Sequence, residues 1–269
     1  MAMLGIDVSA DQGVIDWQKV AADPQGIKRV RIQASFGAEV NPAFVRDVRG
    51  ALAAGLEVGA YHFAYDSVRA VDAADAFLEA VGRAGGPKRF ALRPALDYEQ
   101  TSLHASGGAV RDWATTWLEK VAAAAAWRGG APGIYSDPGF WNPLRVALPA
   151  AGASWVADLT EGEPTGLSGL PDWECWQFSW SGRVQGIEGP VDMDRWRDRV
   201  PSPTPVRQVE TVYAVKPGDT LWAIATALVG GNPTAREVEH AIAAIATANR
   251  LLSPYTIFPG QKLTIPAAL

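Results

Sequence analysis

The chain has 269 residues, 48% of them apolar, with a formal charge of −5 and a single cysteine. That length fits one large unit with a smaller one beside it, and one cysteine excludes a disulfide within the chain. The mild charge, without a block of like charges, and the lack of any run near ~20 apolar residues predict neither nucleic acid nor membrane as partner.

The opening residues, MAMLGIDVSADQG, lack the basic and long apolar regions of a signal peptide. The expectation is synthesis and folding in a reducing cytoplasm, with release to any outer target depending on another agent. From residue 3 to about 200, seven apolar runs read as strands: MLGIDVS, VRIQASF, EVGAYHFAY, ALRPALDYE, PGIYSD, SWVADL and ECWQFSW. Each is continuous enough to be buried on both faces. Amphipathic segments lie between them, over residues 43–55, 68–85 and 110–127. Alternating β and α segments predict an α/β fold with a parallel sheet, closed into a (β/α) barrel or a variant of one.

The stretch VPSPTPVRQVE, residues 200–210, alternates proline with small polar residues and reads as a semi-rigid linker. Domain limits follow at 1–200, 201–211 for the linker, and 212–269. Residues 206–269 carry five Lys/Arg and four Asp/Glu, net +1, which leaves −6 for residues 1–205.

Polar residues gather at the predicted C-terminal strand ends: Asp7, His62, Asp97, Glu99, Ser136, Asp158 and Gln177. Barrel enzymes keep their chemistry at that end. Asp97 and Glu99, in ALDYE, are two residues apart. On a strand they leave the same face, with Cα atoms roughly 7 Å apart.

Residue types then eliminate several chemistries. His62, His104 and His240 fall in separate segments without metal-ligand spacing, so neither a metal nor another cofactor is expected. Cys175, between aromatics in WECWQFS, reads as a small buried hydrophobe. There is no G-x-S-x-G elbow and no glycine loop for phosphate. Carboxylates and aromatics remain, the apparatus of glycoside cleavage, in which one acid protonates the leaving oxygen while a second charge steadies an oxocarbenium-like centre. Eleven tryptophans add faces on which sugar rings can stack.

With these pieces in order, residues 3–198 resemble the glycoside hydrolase family 25 lysozymes, the N-acetylmuramidases of phages and bacteria. The likeness rests on GIDVSADQGVIDW, NPAFVRDVRGALAAGLEVGAYHFAY, ALDYE, PGIYSDPGFW, SWVADL, CWQFS and VDMDRW. It implies Glu99 as general acid, Asp97 as stabiliser of the reacting centre or guide of the substrate acetamide, and Asp7 and Asp192 as the rest of an acidic floor. Tyr61, Tyr135, Trp155, Asp158 and Gln177 are the substrate-binding residues it implies. Gln33 stands where many relatives have lysine, and Leu159 where an aromatic is common. Crowded carboxylates also raise the cost of ionising all of them, which helps hold Glu99 protonated.

Residues 212–266 resemble a LysM module, a βααβ carbohydrate binder, through VYAVKPGDTLWAIA, IATANRLL and IFPGQKLTIP. The resemblance implies that N-acetylglucosamine units lie between Gly218, Asp219, Thr220 and Leu221 on one side and the loop from Asn249 to Ile257 on the other. LVGGNPTAREVEHAIAAIATA lengthens the helical middle. The combined expectation is a peptidoglycan hydrolase that resembles a phage endolysin waiting for a holin. A chitinase-like glycosidase and a wall-binding protein with an inert barrel are the rivals.

Overall fold

The computed structural model describes residues 3–101, 104–197, 211–229, 233–249, 251 and 255–265. The chain divides into two compact units, residues 1–203 and 204–269. Residues 201–210, most of the segment read as a linker, lie outside the described residues.

The first unit contains β1 (Met3–Val8), β2 (Arg29–Phe36), β3 (Glu39–Val40), β4 (Glu57–Phe63), β5 (Ala95–Asp97), β6 (Gly133–Ser136), β7 (Ser154–Ala157), β8 (Trp173–Gly182) and β9 (Val191–Trp196). β1 pairs with both β2 and β9, so eight strands close into a barrel in the order β1-β2-β4-β5-β6-β7-β8-β9, and β3 hangs on β2. The barrel pairings from β1 through β8 are parallel, whereas β9 runs antiparallel to β1 and β8, as the short β3 does to β2. The barrel is therefore mixed.

Five helices wrap the early strands: α1 (Trp17–Ala21), α2 (Phe44–Ala53), α3 (Ala70–Arg83), α4 (Gly107–Ala124) and α5 (Pro138–Leu144). Their buried faces follow helical spacing. In α3 the core face is Ala70, Ala73, Ala74, Phe77, Ala80 and Val81. Ser106 caps α4 by accepting from the Ala109 N–H at 3.3 Å, and Asp137 caps α5 by accepting from the Phe140 N–H at 3.0 Å.

The predicted alternation of strand and helix ends at β7. Among the described residues no helix joins β7 to β8, because residues 158–172 carry Gly162, Pro164, Gly166, Gly169 and Pro171, which oppose a helix. β8 then returns as β9 through residues 183–190, too short for a parallel crossover, and this fixes the antiparallel last strand. β5 is also shorter than the apolar run that predicts it. Pro94 has no N–H for the ladder, and the strand is confined to three residues.

Two layers of core result. The outer layer lies between strands and helices. The inner one fills the barrel with Tyr61, Leu92, Ala95, Tyr135, Trp155, Cys175 and Trp196. Gly5 makes room for this filling, since a Cβ there would stand 2.3 Å from the Trp196 ring and 2.4 Å from the Arg29 carbonyl. Cys175 is fully buried, and burial raises its thiol pKa well above the ordinary value. Lower in the barrel, Glu174 receives Arg31 at 2.9 Å and Arg93 at 2.7 Å.

The second unit holds β10 (Thr211–Ala214), α6 (Leu221–Val229), α7 (Ala235–Ala248) and β11 (Lys262–Ile265), with β10 and β11 antiparallel. This is the expected βααβ order. Its separate core is built from Val215, Leu221, Ile224, Ala225, Val238, Ala241, Ile245, Leu263 and Ile265. Among the described residues no helix is long and apolar enough to cross a membrane.

Candidate active site

The C-terminal ends of the parallel strands form one mouth of the barrel, and side-chain alternation decides what enters it. On β1, Asp7 stands opposite Asp192 of β9. On β5, Asp97 is the last strand residue, between Phe63 of β4 and Tyr135 of β6. Glu99 lies in the following loop rather than on the strand as read from sequence. The Tyr98 N–H nevertheless donates to the Tyr135 carbonyl at 3.0 Å, carrying the pairing one residue further. The Tyr98 ring packs outward against Trp113 and Phe140, at centroid distances of 5.4 and 6.0 Å. Asp97 and Glu99, on either side of it, therefore turn to the mouth.

Tyr61 and Tyr135 complete the wall. The Tyr135 hydroxyl donates to Gln177 Oε1 at 2.8 Å, and Gln177 Nε2 donates to Asp7 Oδ2 at 3.1 Å. Both phenol rings rest on Trp155, with centroids 5.8 Å away for Tyr61 and 4.4 Å for Tyr135. Trp155 itself is 2% exposed and donates its indole N–H to Asp194 Oδ1 at 2.9 Å. It is the floor beneath the phenols rather than a surface open to substrate, because its one polar atom is drawn down to Asp194.

The acids also perturb one another across this space. Burial raises the Asp7 pKa well above the ordinary carboxylate value, and Asp194, Asp192 and Asp97 add to the rise against the Gln177 hydrogen bond. Asp97 is likewise raised well above, by burial and then by Glu99 and Asp192. Glu99, half-buried, is raised by burial, opposed by a hydrogen-bond contact with Tyr135, and raised further by Asp137 and Asp192. Burial raises Asp192 too. Both phenols are pushed up by burial and by all four acids, Asp7, Asp97, Glu99 and Asp192. The four carboxylates named from sequence thus converge around two tyrosines.

Other expected residues are placed differently. The Asp158 carboxylate accepts from the Thr160 N–H at 3.0 Å and its hydroxyl at 2.6 Å, an Asx-type turn that uses the side chain within its own loop. His62 faces the helices, stacked on Trp113 and Trp117, with Nδ1 at 2.8 Å from Ser35 Oγ. Burial lowers its pKa to about 3, so it stays neutral. The Ser136 hydroxyl donates to the Tyr98 carbonyl at 2.8 Å, fixing the turn that carries Glu99.

Asp194 and Arg31, which lie beneath the mouth and support Trp155, are absent from the sequence reading. Asp194 is completely buried, and burial lifts its pKa to about 7 even though Arg31, Trp155 and Cys175 all favour the charged form. Its position two residues after Asp192 is the same spacing that links Asp97 to Glu99, and that signal was available. Arg31 stacks over Trp155, its guanidinium carbon 4.5 Å from the ring centroid. Nothing in VRIQASF distinguishes it from a solvated arginine.

In the second unit the residues expected at the sugar serve the fold. Asp219 Oδ2 accepts from the Lys216 N–H at 2.7 Å and the Tyr213 hydroxyl at 2.9 Å, and hydrogen bonding lowers its pKa. Thr220 Oγ1 caps α6 by accepting from the Ala223 N–H at 3.1 Å. Leu221 is core, and Ile257 packs beside it. Asn249 donates to the carbonyls of Ile245 at 2.8 Å and Thr264 at 2.7 Å, and accepts from the Thr264 N–H at 2.7 Å. Gly218, at φ 89, sits in an open turn that leaves backbone groups accessible. Among the described residues no three His, Cys, Asp or Glu side chains are arranged to hold a metal ion.

Comparison with known proteins agrees with this geometry. Residues 6–187 match the model of glycosyl hydrolases family 25, and residues 213–266 match the LysM domain. Lysozyme M1 of Streptomyces globisporus is 30% identical over 198 residues, covering 71% of this chain and 67% of that protein. The uncharacterized protein YegX of Escherichia coli K12 is 34% identical over 194 residues, covering 71% and 68%. Among solved structures, the bacterial lysozyme from Streptomyces coelicolor superimposes with a TM-score of 0.60 at 28% identity, covering 73% of this chain and 93% of its own. The chain belongs to glycosyl hydrolases family 25 and carries a LysM domain C-terminal in sequence to its catalytic domain.

Proposed function

We propose that the barrel is an N-acetylmuramidase that hydrolyses the β-1,4 bond between N-acetylmuramic acid and N-acetylglucosamine in bacterial peptidoglycan. The observation that carries this reading is the convergence of Asp7, Asp97, Glu99 and Asp192 around Tyr61 and Tyr135. Glu99, the half-exposed member of the Asp97–Glu99 pair, can reach a leaving oxygen and acts as the general acid. Asp97 is 7% exposed, and among the described residues its Oδ1 meets no hydrogen-bond donor. A substrate acetamide N–H fills that need, steadying the 2-acetamido group for attack on the anomeric carbon. Asp7 and Asp192 supply negative potential for the positive charge that develops on the sugar.

The LysM unit holds the enzyme on the glycan through N-acetylglucosamine units. With Asp219, Thr220 and Asn249 engaged in the fold, backbone groups around Gly218 make these contacts. The biological role we assign is lysis of a bacterial cell, as a phage endolysin does, since a hydrolase joined to a wall binder suits attack on an insoluble polymer. Mass spectrometry of products from purified peptidoglycan, beside chitin oligomers, tests the bond assigned. Fragments with N-acetylmuramic acid at the reducing end are expected. Equal cleavage of chitin, which has no lactyl group, would overturn the muramidase reading.

A further inference from the structure

Trp180 is the most exposed of the eleven tryptophans, at 66%, and lies near the C-terminal end of β8, on the side of the barrel mouth. Exposure alone means little, since single apolar side chains are common on protein surfaces. The β8–β9 ladder decides where this one stands.

Two irregularities interrupt that ladder beyond Gln177. At the first, Phe178 and Ser179 stand against Met193 alone, and Phe178 keeps to the outer face, with the Arg195 guanidinium carbon 4.2 Å from its ring centroid. At the second, β8 has two residues, Trp180 and Ser181, between the pairs Ser179–Met193 and Gly182–Val191, where β9 has only Asp192. A bulge of this kind sets two residues against one and re-aims their side chains. The residue opposed here is an acid of the mouth, paired on its other side with Asp7. Val191 and Met193 belong to the outer core, so Asp192 between them takes the inner side, and Trp180, which follows the outward Ser179, takes that side as well.

The bulge is held in place. The Ser181 N–H donates to Ser179 Oγ at 3.2 Å, and a Cβ on Gly182 would stand 2.3 Å from Met193 Cγ, so neither neighbour of the bulge can shift freely. Among the described residues, no aromatic ring stacks on Trp180 and its indole N–H has no hydrogen-bond partner. The fold thus fixes the backbone of Trp180 beside Asp192 and leaves the indole to solvent. Strand residues advance by ~3.3 Å, which places Trp180 at most ~10 Å beyond Gln177, at the rim of the mouth, whereas Tyr61, Asp97 and Tyr135 are buried within it.

We propose that Trp180 is a specificity-determining residue that stacks on a pyranose ring of the glycan strand outside the two sugars joined by the scissile bond. An indole offers a flat apolar face with one polar edge, which suits the apolar face of a pyranose whose hydroxyls stay in water. The inference rests on the glycan reading of the barrel and adds a length preference to it. Strands that reach from the acids to the β8 rim bind better than strands that end before it.

The test compares kcat and KM on soluble peptidoglycan tetrasaccharides and octasaccharides, for the full-length native protein, Trp180→Ala and Trp180→Phe. The native protein should favour the octasaccharide, and Trp180→Ala should erase that advantage by raising the octasaccharide KM about five- to tenfold. Trp180→Phe should restore most of it, because a smaller ring still stacks. An octasaccharide KM unchanged in folded Trp180→Ala, or raised by the same factor as the tetrasaccharide KM, would overturn the proposal. Cleavage of chitin oligosaccharides in place of peptidoglycan by the native protein would remove the muramidase reading, and the same length comparison on the chitin series would still decide the role of Trp180.

Discussion

Asp7 and Asp192 face each other directly across the β1–β9 ladder, and two residues along the same ladder Asp194 faces Gly5. Three carboxylates of the barrel interior are thus set by one antiparallel pairing, and like charges placed opposite each other oppose folding. The strand that departs from the regular β/α pattern is the one that concentrates the acids.

Stability should therefore fall as pH rises toward neutrality. The folded pKa of Asp194, about 7, lies above the ordinary carboxylate value near ~3.9, so the folded state binds this proton more tightly than the unfolded state. Below ~pH 4 the group is protonated in both states and has no effect; from ~4 to about 7 its cost grows, to the order of a few kcal/mol. Asp194→Asn keeps an oxygen for the Trp155 N–H and should make the fall with pH shallower, leaving the part owed to the other raised carboxylates. Calorimetric melting at pH 4.5 and 7.5 checks it, and parallel slopes for both proteins would reject the assignment.

Glu99→Gln should leave the fold intact and reduce lysis by about 10²- to 10⁴-fold, since an isosteric amide cannot protonate the leaving oxygen. Asp97→Asn should also be severe. Clearing of cell-wall suspensions at the native rate by a folded Glu99→Gln protein would be incompatible with Glu99 as the acid.

Beneath the site, Glu174 neutralises both Arg31 and Arg93 inside the barrel. Glu174→Gln leaves the buried Arg31 and the partly buried Arg93 without this anion and should cost ~3 kcal/mol or more. Arg31→Met should cost less, because Glu174 retains Arg93 and the methionine can fill part of the space against Trp155. Urea denaturation of the three proteins gives the order, and a larger loss for Arg31→Met would contradict this view of the network.

Hydrolysis should proceed with retention at the anomeric carbon. Asp97 and Glu99 turn to the mouth from one short segment, which favours paired, double-displacement geometry over an inverting water held between distant carboxylates. NMR of the first-formed anomer from a soluble oligosaccharide should show the β form, and an initial α form would reject it.

Each unit encloses its own core, so residues 1–203 should fold and remain active alone. Loss of the LysM unit should weaken attachment to insoluble walls far more than turnover of soluble fragments. The residues before 206 carry −6, so added salt should help the truncated enzyme on anionic walls more than the full chain. Equal retention of both proteins on purified walls would show that residues 212–266 are not the anchor.

The sequence by itself determined the strands through β8, apart from the two-residue β3, in approximate extent, the (β/α) character of the first two thirds of the barrel, the βααβ order of the second unit, and Asp7, Asp97, Glu99 and Asp192 as acids of interest. The strands, the helices between them and the Asp97–Glu99 pair were legible because apolar runs, helical periodicity and i, i+2 spacing are local properties of a chain, while Asp192 and the βααβ order came through the resemblance of whole motifs. The antiparallel β9, the burial of Asp194, the use of Trp155 as a floor and the ion-paired Arg31 were decided by tertiary structure. Each depends on which strand closes the barrel, and closure brings residues 5, 31, 155 and 194 together from four distant segments. The same reason explains Asp158, Asp219 and Asn249, whose composition suits a sugar site but whose side chains are engaged by neighbouring backbone. A hydrogen-bond acceptor looks the same in sequence whether it awaits a ligand or caps a turn, and only the positions of the surrounding donors distinguish the two.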